Sequence, residues 1–175
     1  MLDEALRRFL AGDASAFSTI VERTSERLVR VSARIMGSVV DAEDVVQEAY
    51  VKAHAALLAG EFDQKAKLET WLYRIAVNGS IDAKRKKKRA PIPSDTVMDG
   101  VMDEGAQGSA EAIVALRELE VWMRDLPEDQ QAVLVMKSME GLETKEIAEI
   151  MNCSEGSVEQ RLVRARAALR ERRNA

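Results

Sequence analysis

The sequence predicts an all-α protein: two small helical domains joined by a flexible acidic linker, the second domain carrying a helix-turn-helix. Three observations carry that expectation. Aromatic residues make up only 4% of a chain that is 46% hydrophobic and 32% charged, and a mix dominated by Ala, Leu, Val, Glu and Arg favours helices over sheets. Apolar residues recur at helical spacing on both sides of the chain's middle. Between them lies "PIPSDTVMDGVMDEGAQGSA", with two prolines, three glycines and no lasting period, the composition of a linker. The domains are expected at 1–90 and 111–175, with the linker at 91–110, and 175 residues suffice for two small domains.

In the first domain, Asp13 is a candidate cap for "ASAFSTIVERTSERLVRVSARIM", where Phe17, Ile20, Val21, Leu28, Val31 and Ile35 form one apolar stripe. Gly37 suits its end. Asp41 is the candidate cap of "AEDVVQEAYVKAHAALL", which runs toward Gly60, and "GEFDQKAK" reads as a loop. "LETWLYRIAVNGSIDAKRKKK" is the last helix, with Leu68, Leu72, Ile75 and Gly79 along one side. Pro91 disfavours a helical Ala90 and should stop it there. The second domain opens with "AEAIVALRELEVWMRDL". Pro127 fits the first turn of "PEDQQAVLVMKSME", with Gly141 at its stop. Thr144 is the expected cap of "KEIAEIM", Asn152–Cys153–Ser154 the turn, and Ser154 the cap of "EGSVEQRLVRARAALRERR".

The net charge of −4 hides an uneven distribution. Lys84 to Arg89 are six consecutive cations; 91–110 carries Asp95, Asp99, Asp103 and Glu104 but no Lys or Arg; "RLVRARAALRERR" is basic again. No apolar run is long enough to span a bilayer, and the charged, amphipathic "MLDEALRRFLAGD" does not suit a secretory signal. Cys153 is the only cysteine, so no internal disulfide is expected, and a reducing cytoplasm is the natural compartment. No nucleophile–base pairing, phosphate loop or zinc spacing accompanies His54, the only histidine. No catalytic residue, metal or cofactor is expected.

The segment from Thr144 to Arg173 has helix-turn-helix proportions. Ala148 is small where the helices cross, Asn152 tolerates the left-handed conformation of a tight turn, and Val158, Leu162, Ala165 and Leu169 form the inner face of the second helix. Its outer arc gathers Ser157, Gln160, Arg161 and Arg164. A basic, hydrogen-bonding face on a second helix suits major-groove docking, since Arg pairs bidentately with guanine or phosphate. The same face also reads as a solvated helix with cations near its C-terminus. Glu159 lies on the opposite flank from Arg161 and Arg164, and Arg166 projects toward it.

On the helix from Thr70, the positions Trp71, Arg74, Asn78 and Arg85 share an arc beside the apolar one. An aromatic, an amide and cations together suit single-stranded nucleic acid, with bases stacked on rings and cations along phosphates. Core burial of Trp71 and a merely solvated basic tail are the other readings. On the helix from Asp41, the residues Asp41, Asp44 and Glu48 share a side, with Gln47 nearby. Such an acidic stripe can meet a basic partner surface; nothing supplies further ligands for a metal.

Three blocks, "DAEDVVQEAYVKAH" (41–54), "TWLYRIAVNGSIDAKRKKKR" (70–89) and "LPEDQQAVLVMKSMEGLETKEIAEIMNCSEGSVEQRLVRARAALRE" (126–171), occur in an order that resembles the extracytoplasmic-function sigma factors of bacterial RNA polymerase. That resemblance implies that the first domain binds core RNA polymerase through Asp41, Asp44, Gln47 and Glu48. It implies contact with the promoter minus-ten element through Lys65 and Lys67 of the loop and through Trp71, Arg74, Asn78, Lys84, Arg85, Lys86 and Lys87. The minus-thirty-five element would fall to Ser157, Gln160, Arg161, Arg164 and Arg166. An anti-sigma factor that buries both DNA faces is implied as a partner, and membrane insertion is not. One departure stands out: where the family reads close to "GTVKSRL", this chain has "GSVEQRL", with Glu159 and Gln160 in place of a lysine and a serine. A stand-alone two-domain DNA-binding regulator, and an interaction protein without a DNA role, are the alternative readings.

Overall fold

The computed structural model describes residues 1–89 and 118–174, and all regular structure among them is helical. The helices are α1 (Leu2–Leu10), α2 (Ala16–Met36), α3 (Val39–Leu58), α4 (Leu68–Arg89), α5 (118–124), α6 (Glu128–Ser138), α7 (Thr144–Met151) and α8 (Glu155–Asn174). The expected linker at 91–110, the stop beside Pro91 and the first half of the helix opening the second domain lie outside the described residues.

The helices α1 to α4 form the first group. The N-terminal stretch adds a helix to the expected set: α1 is acidic in its first turn and basic in its last, as the helix dipole favours, and it buries Ala5, Leu6 and Phe9 against α2. The cap position of α2 is Ser15, which makes no side-chain cap bond; this corrects the expected role of Asp13, which lies three residues ahead of Ala16 with its carboxylate accepting from the backbone of Ser15 at 3.1 Å. Gly37 ends α2 in the left-handed region (φ 75°), which a residue with a Cβ adopts only at a cost. The chain reverses at once into α3. Its cap is Ser38, whose Oγ accepts from the backbone of Asp41 at 3.2 Å; this corrects the expected role of Asp41, which lies inside the helix. Ile20, Val31 and Ile35 of α2, Ala42 and Ala53 of α3, and Leu72, Ala76 and Val77 of α4 are 1% exposed or less. Gly79 has its reason here, because a Cβ at that position would meet Val45 Cγ1 at 3.2 Å. The residue weakens α4 by about 1 kcal/mol as a helix former and in return lets α3 approach it.

The helices α5 to α8 form the second group. The start of α7 departs from expectation: Glu143 is its cap, in a reciprocal box with Glu146, while the Thr144 hydroxyl donates to Glu159 of α8 at 3.0 Å. Ser154 caps α8 as expected, its Oγ accepting from the backbone of Ser157 at 3.2 Å. The inner face of α8 buries Val158, Leu162 and Ala165 on α6 and α7. Asn152 turns the chain at φ 50°, ψ 51°. Asn152→Gly should therefore leave stability intact, whereas Asn152→Ile should lose about 1–2 kcal/mol, read from thermal unfolding of the two variants.

The two groups also pack on each other. Six consecutive residues of α6, Gln131 to Met136, are buried, and a helix buried all round needs partners on every side. Its own group supplies α7 and α8; the first group supplies α2 and α4, and α4 also meets α7.

Candidate nucleic-acid and partner interfaces

The acidic stripe of α3 is divided by the fold. Asp44, Gln47 and Glu48 are exposed. Asp41 is held by Lys87 of α4, Nζ to Oδ2 2.8 Å, and that hydrogen bond, helped by Ser38, keeps its carboxyl below the usual carboxylate range. Asp41, Asp44 and Glu48 line one wall of a groove whose other wall is Asp82, Lys86 and Lys87 of α4.

The loop before α4 presents Lys65 and Lys67 to solvent, with Lys65 paired to Asp63 at 2.9 Å. Gln64, between them in sequence, has a φ of 57°, a strained conformation for a residue with a long side chain. Trp71 is half-buried and packs on Phe62 with ring centroids 4.8 Å apart, so it combines part of each reading offered by the sequence. Arg74 is exposed, and Asn78 half-buried.

The basic run is not a uniform cationic strip, and Lys84 is the correction. Its side chain lies within the fold, donating to the Ile35 carbonyl at 3.0 Å and to the Gln131 side chain. Burial lowers its pKa to about 8. The cause is the helical period: Lys84 follows Val77, Ser80 and Ile81 by seven, four and three residues, and all three are buried. Any run of six in a helix must place at least one member on the core side. Of the rest, Arg85 lies 3.9 Å and Lys88 2.8 Å from Glu128, Lys87 holds Asp41, and Lys86 is exposed.

On α8, Gln160, Arg164 and Arg166 are exposed. Ser157 is half-buried and accepts from the Ser154 hydroxyl at 3.1 Å. Arg161 departs from the expected open face. Its guanidinium binds Asp129 of α6 at 2.8 Å and Cys153 at 3.3 Å, because position 161 borders the buried Val158 and Leu162. Cys153 and His54 have structural surroundings: the thiol accepts from Arg161, and the imidazole packs edge-on to Phe9 and Phe17 at 5.2 and 4.8 Å. Among the described residues no cluster of His, Cys, Asp or Glu could hold a metal ion, and no helix is long and apolar enough to cross a membrane.

Residues 20–90 match the family model for sigma-70 region 2, and residues 116–169 that for sigma-70 region 4. Over 98% of its length the chain is 34% identical to the ECF RNA polymerase sigma factor SigW of Bacillus subtilis, of which it covers 96%. The chain belongs to the extracytoplasmic-function sigma factors. It is 33% identical to the ECF sigma-E factor of Escherichia coli K12, with 97% of this chain and 93% of that one covered. Among solved structures, CnrH in complex with the cytosolic domain of CnrY shares its fold, with a TM-score of 0.68 at 24% identity, over 97% of this chain and 95% of that one. The sigma factor RpoE of Bartonella quintana, in complex with the anti-sigma factor NepR, matches with a TM-score of 0.65 at 25% identity, over 89% and 94%. As a sigma factor the chain is a promoter-specificity subunit of RNA polymerase acting in transcription initiation. That decides against the stand-alone regulator and against an interaction protein without a DNA role.

The sequence reading missed the acidic groups that meet the sigma factor's basic surfaces from across the fold. Glu140 and Glu128 are the two principal ones. The buried run "QAVLVM" was the available signal, since a helix that is apolar on every side needs a second partner.

Proposed function

We propose a division of labour among three surfaces of this sigma factor. Asp44, Gln47 and Glu48 on α3 dock core RNA polymerase, with Asp41 setting the position of Lys87. The loop residues Lys65 and Lys67, with Trp71, Arg74, Asn78, Arg85, Lys86 and Lys87, take the minus-ten region. Ser157, Gln160 and Arg164 on α8 take the minus-thirty-five element in the major groove, with Arg166 on the adjoining phosphates. We take the first domain as 1–90 and the second as 111–175. Catalysis belongs to the polymerase, and the compartment is the cytoplasm, where that enzyme works.

The observation that supports this best is the two-sidedness of α8. Val158, Leu162 and Ala165 face inward, while Gln160 and Arg164 stand clear in solvent. A side chain of each type can read a base pair bidentately, Arg a guanine and Gln an adenine. The anti-sigma partner is proposed from the RpoE relative, which was solved with one; a protein that covers these faces would silence the chain.

The test is run-off transcription with core polymerase on a template whose start site has been mapped. Arg164→Ala should cut transcript yield by roughly 5- to 150-fold, the equivalent of one bidentate base contact. Asn78→Ala should impair opening while duplex binding at the upstream element persists. Full activity of both variants would remove the assignment.

A further inference from the structure

The outer side of α8 carries one charge of unexpected sign for a surface that meets DNA. Glu155 lies in the first turn of the helix, where the dipole favours an acid. Glu159 lies beyond that turn, exposed beside Gln160, so the dipole does not account for it. Its neighbours three and four positions away, Glu155, Gly156, Leu162 and Val163, include no cation, so no ion pair along the helix accounts for it either. A carboxylate close to phosphates weakens binding. This one is nonetheless fixed in place. The hydroxyl of Thr144, at the start of α7, donates to Glu159 Oε1 at 3.0 Å, and Oε2 has no partner among the described residues. Val163, one turn further along, is 64% exposed and offers no polar group that would compete for Oε2.

We propose that Glu159 reads a base of the upstream element, selecting cytosine at one position through Oε2 while Thr144 sets the orientation of its carboxylate. The proposal rests on the assignment of α8 to the minus-thirty-five major groove. Three arguments support it. The fifth residue of α8 falls in the N-terminal part of a recognition helix, the part that reaches base edges. An ionised carboxylate only accepts hydrogen bonds, and cytosine alone shows the major groove a donor with no acceptor beside it; adenine sets its amino group next to N7, and guanine and thymine present acceptors. Held by α7, the carboxylate cannot swing aside from an acceptor on the wrong base, and that repulsion supplies discrimination. Thr144 is thus a positioning residue and Glu159 the reader.

The experiment is run-off transcription with core polymerase on a library of promoter duplexes in which each position of the upstream element carries all four base pairs in turn. The wild-type chain should favour cytosine at one position, on either strand, by roughly tenfold, within the range for a single base pair. Glu159→Ala should flatten that preference and leave the other positions as they were. Glu159→Gln keeps an acceptor for Thr144 but replaces the free oxygen with an amide donor, so the preference should move from cytosine to adenine. Thr144→Val should blunt the preference with the salt dependence unchanged; an unblunted preference there removes the positioning role. Two results would overturn the reader itself. Unchanged preferences in both Glu159 variants would leave the carboxylate as a brace between α7 and α8. A gain in Glu159→Ala on every template alike, with a steeper salt dependence, would make it a repulsive charge and no more. Arg164→Ala in the same library separates the proposal from its premise. If no position responds to Arg164 either, α8 does not read the element; if one responds to Arg164 and none to Glu159, only the role of Glu159 falls. Circular dichroism checks that each variant keeps the wild-type helix content.

Discussion

Asp44→Arg combined with Glu48→Arg should abolish co-purification of this sigma factor with core RNA polymerase while leaving its helix content and unfolding temperature at the wild-type level. Both side chains are exposed on one face of α3, and nothing in the core leans on them. Exposed substitutions of this kind alter folding free energy by about 0.5 kcal/mol or less. Their effect on a complementary basic surface is much larger. Two attractive charges become two repulsive ones, and like-charge juxtaposition at an interface costs several kcal/mol, which at about 1.4 kcal/mol per decade is a loss of at least about a hundredfold. Asp41→Ala is the informative control. Its carboxylate is occupied by Lys87, so this variant should reduce polymerase binding far less and instead free the Lys87 ammonium. Pull-down against purified core enzyme, with circular dichroism alongside, measures both; undiminished retention of the double variant would falsify the docking face.

Leu162→Ala should destabilise the helix-turn-helix by about 2–5 kcal/mol. The side chain is 1% exposed and lies midway along the inner face of α8, between Val158 and Ala165, where α8 packs on α6 and α7. The cost combines lost apolar transfer with a cavity that a group of short helices closes only in part. The functional consequence is specific. Upstream-dependent transcription should fall with the unfolded fraction, while polymerase binding through α3 survives, because α3 belongs to the other group. Urea unfolding followed by circular dichroism, together with run-off assays at two temperatures, reads both effects. A loss below about 1 kcal/mol would mean that α8 does not use Leu162 as its anchor. Arg164→Ala should be the opposite case, with stability unchanged and transcription reduced.

Much of the architecture was legible because local patterns and tertiary needs agree. The stripe of α2, the left-handed Gly37 and Asn152, the Ser154 cap and the inner face of α8 each follow from period or backbone chemistry, and each is where it was expected. The caps that differ do so within a few residues. Ser38 and Glu143 outcompete Asp41 and Thr144 because each precedes the first helical turn with its acceptor in reach of the amide of the third helical residue. The interfaces were legible in kind but not residue by residue. Asp41 and Arg161 look like solvent-facing charges on a helical wheel, yet each is engaged by a side chain from another helix, Lys87 and Asp129 respectively. Periodicity reports which face of a helix is polar; it does not report which polar groups face one another. Lys84 is the exception that could have been found, since it shares a face with Val77 and Ile81.

By itself the sequence determined that the chain is helical, that it has two groups of helices on either side of an acidic stretch, and which family its ordered blocks belong to. These follow from period, breakers and composition, all of them local along the chain. Only the tertiary structure decided that α6 packs on the first group as well as on its own, that Glu140 meets three arginines more than a hundred positions away in sequence, and that part of the basic run is already occupied. Those facts depend on which surfaces meet, and two charges brought together across such a separation leave no periodic trace in either segment.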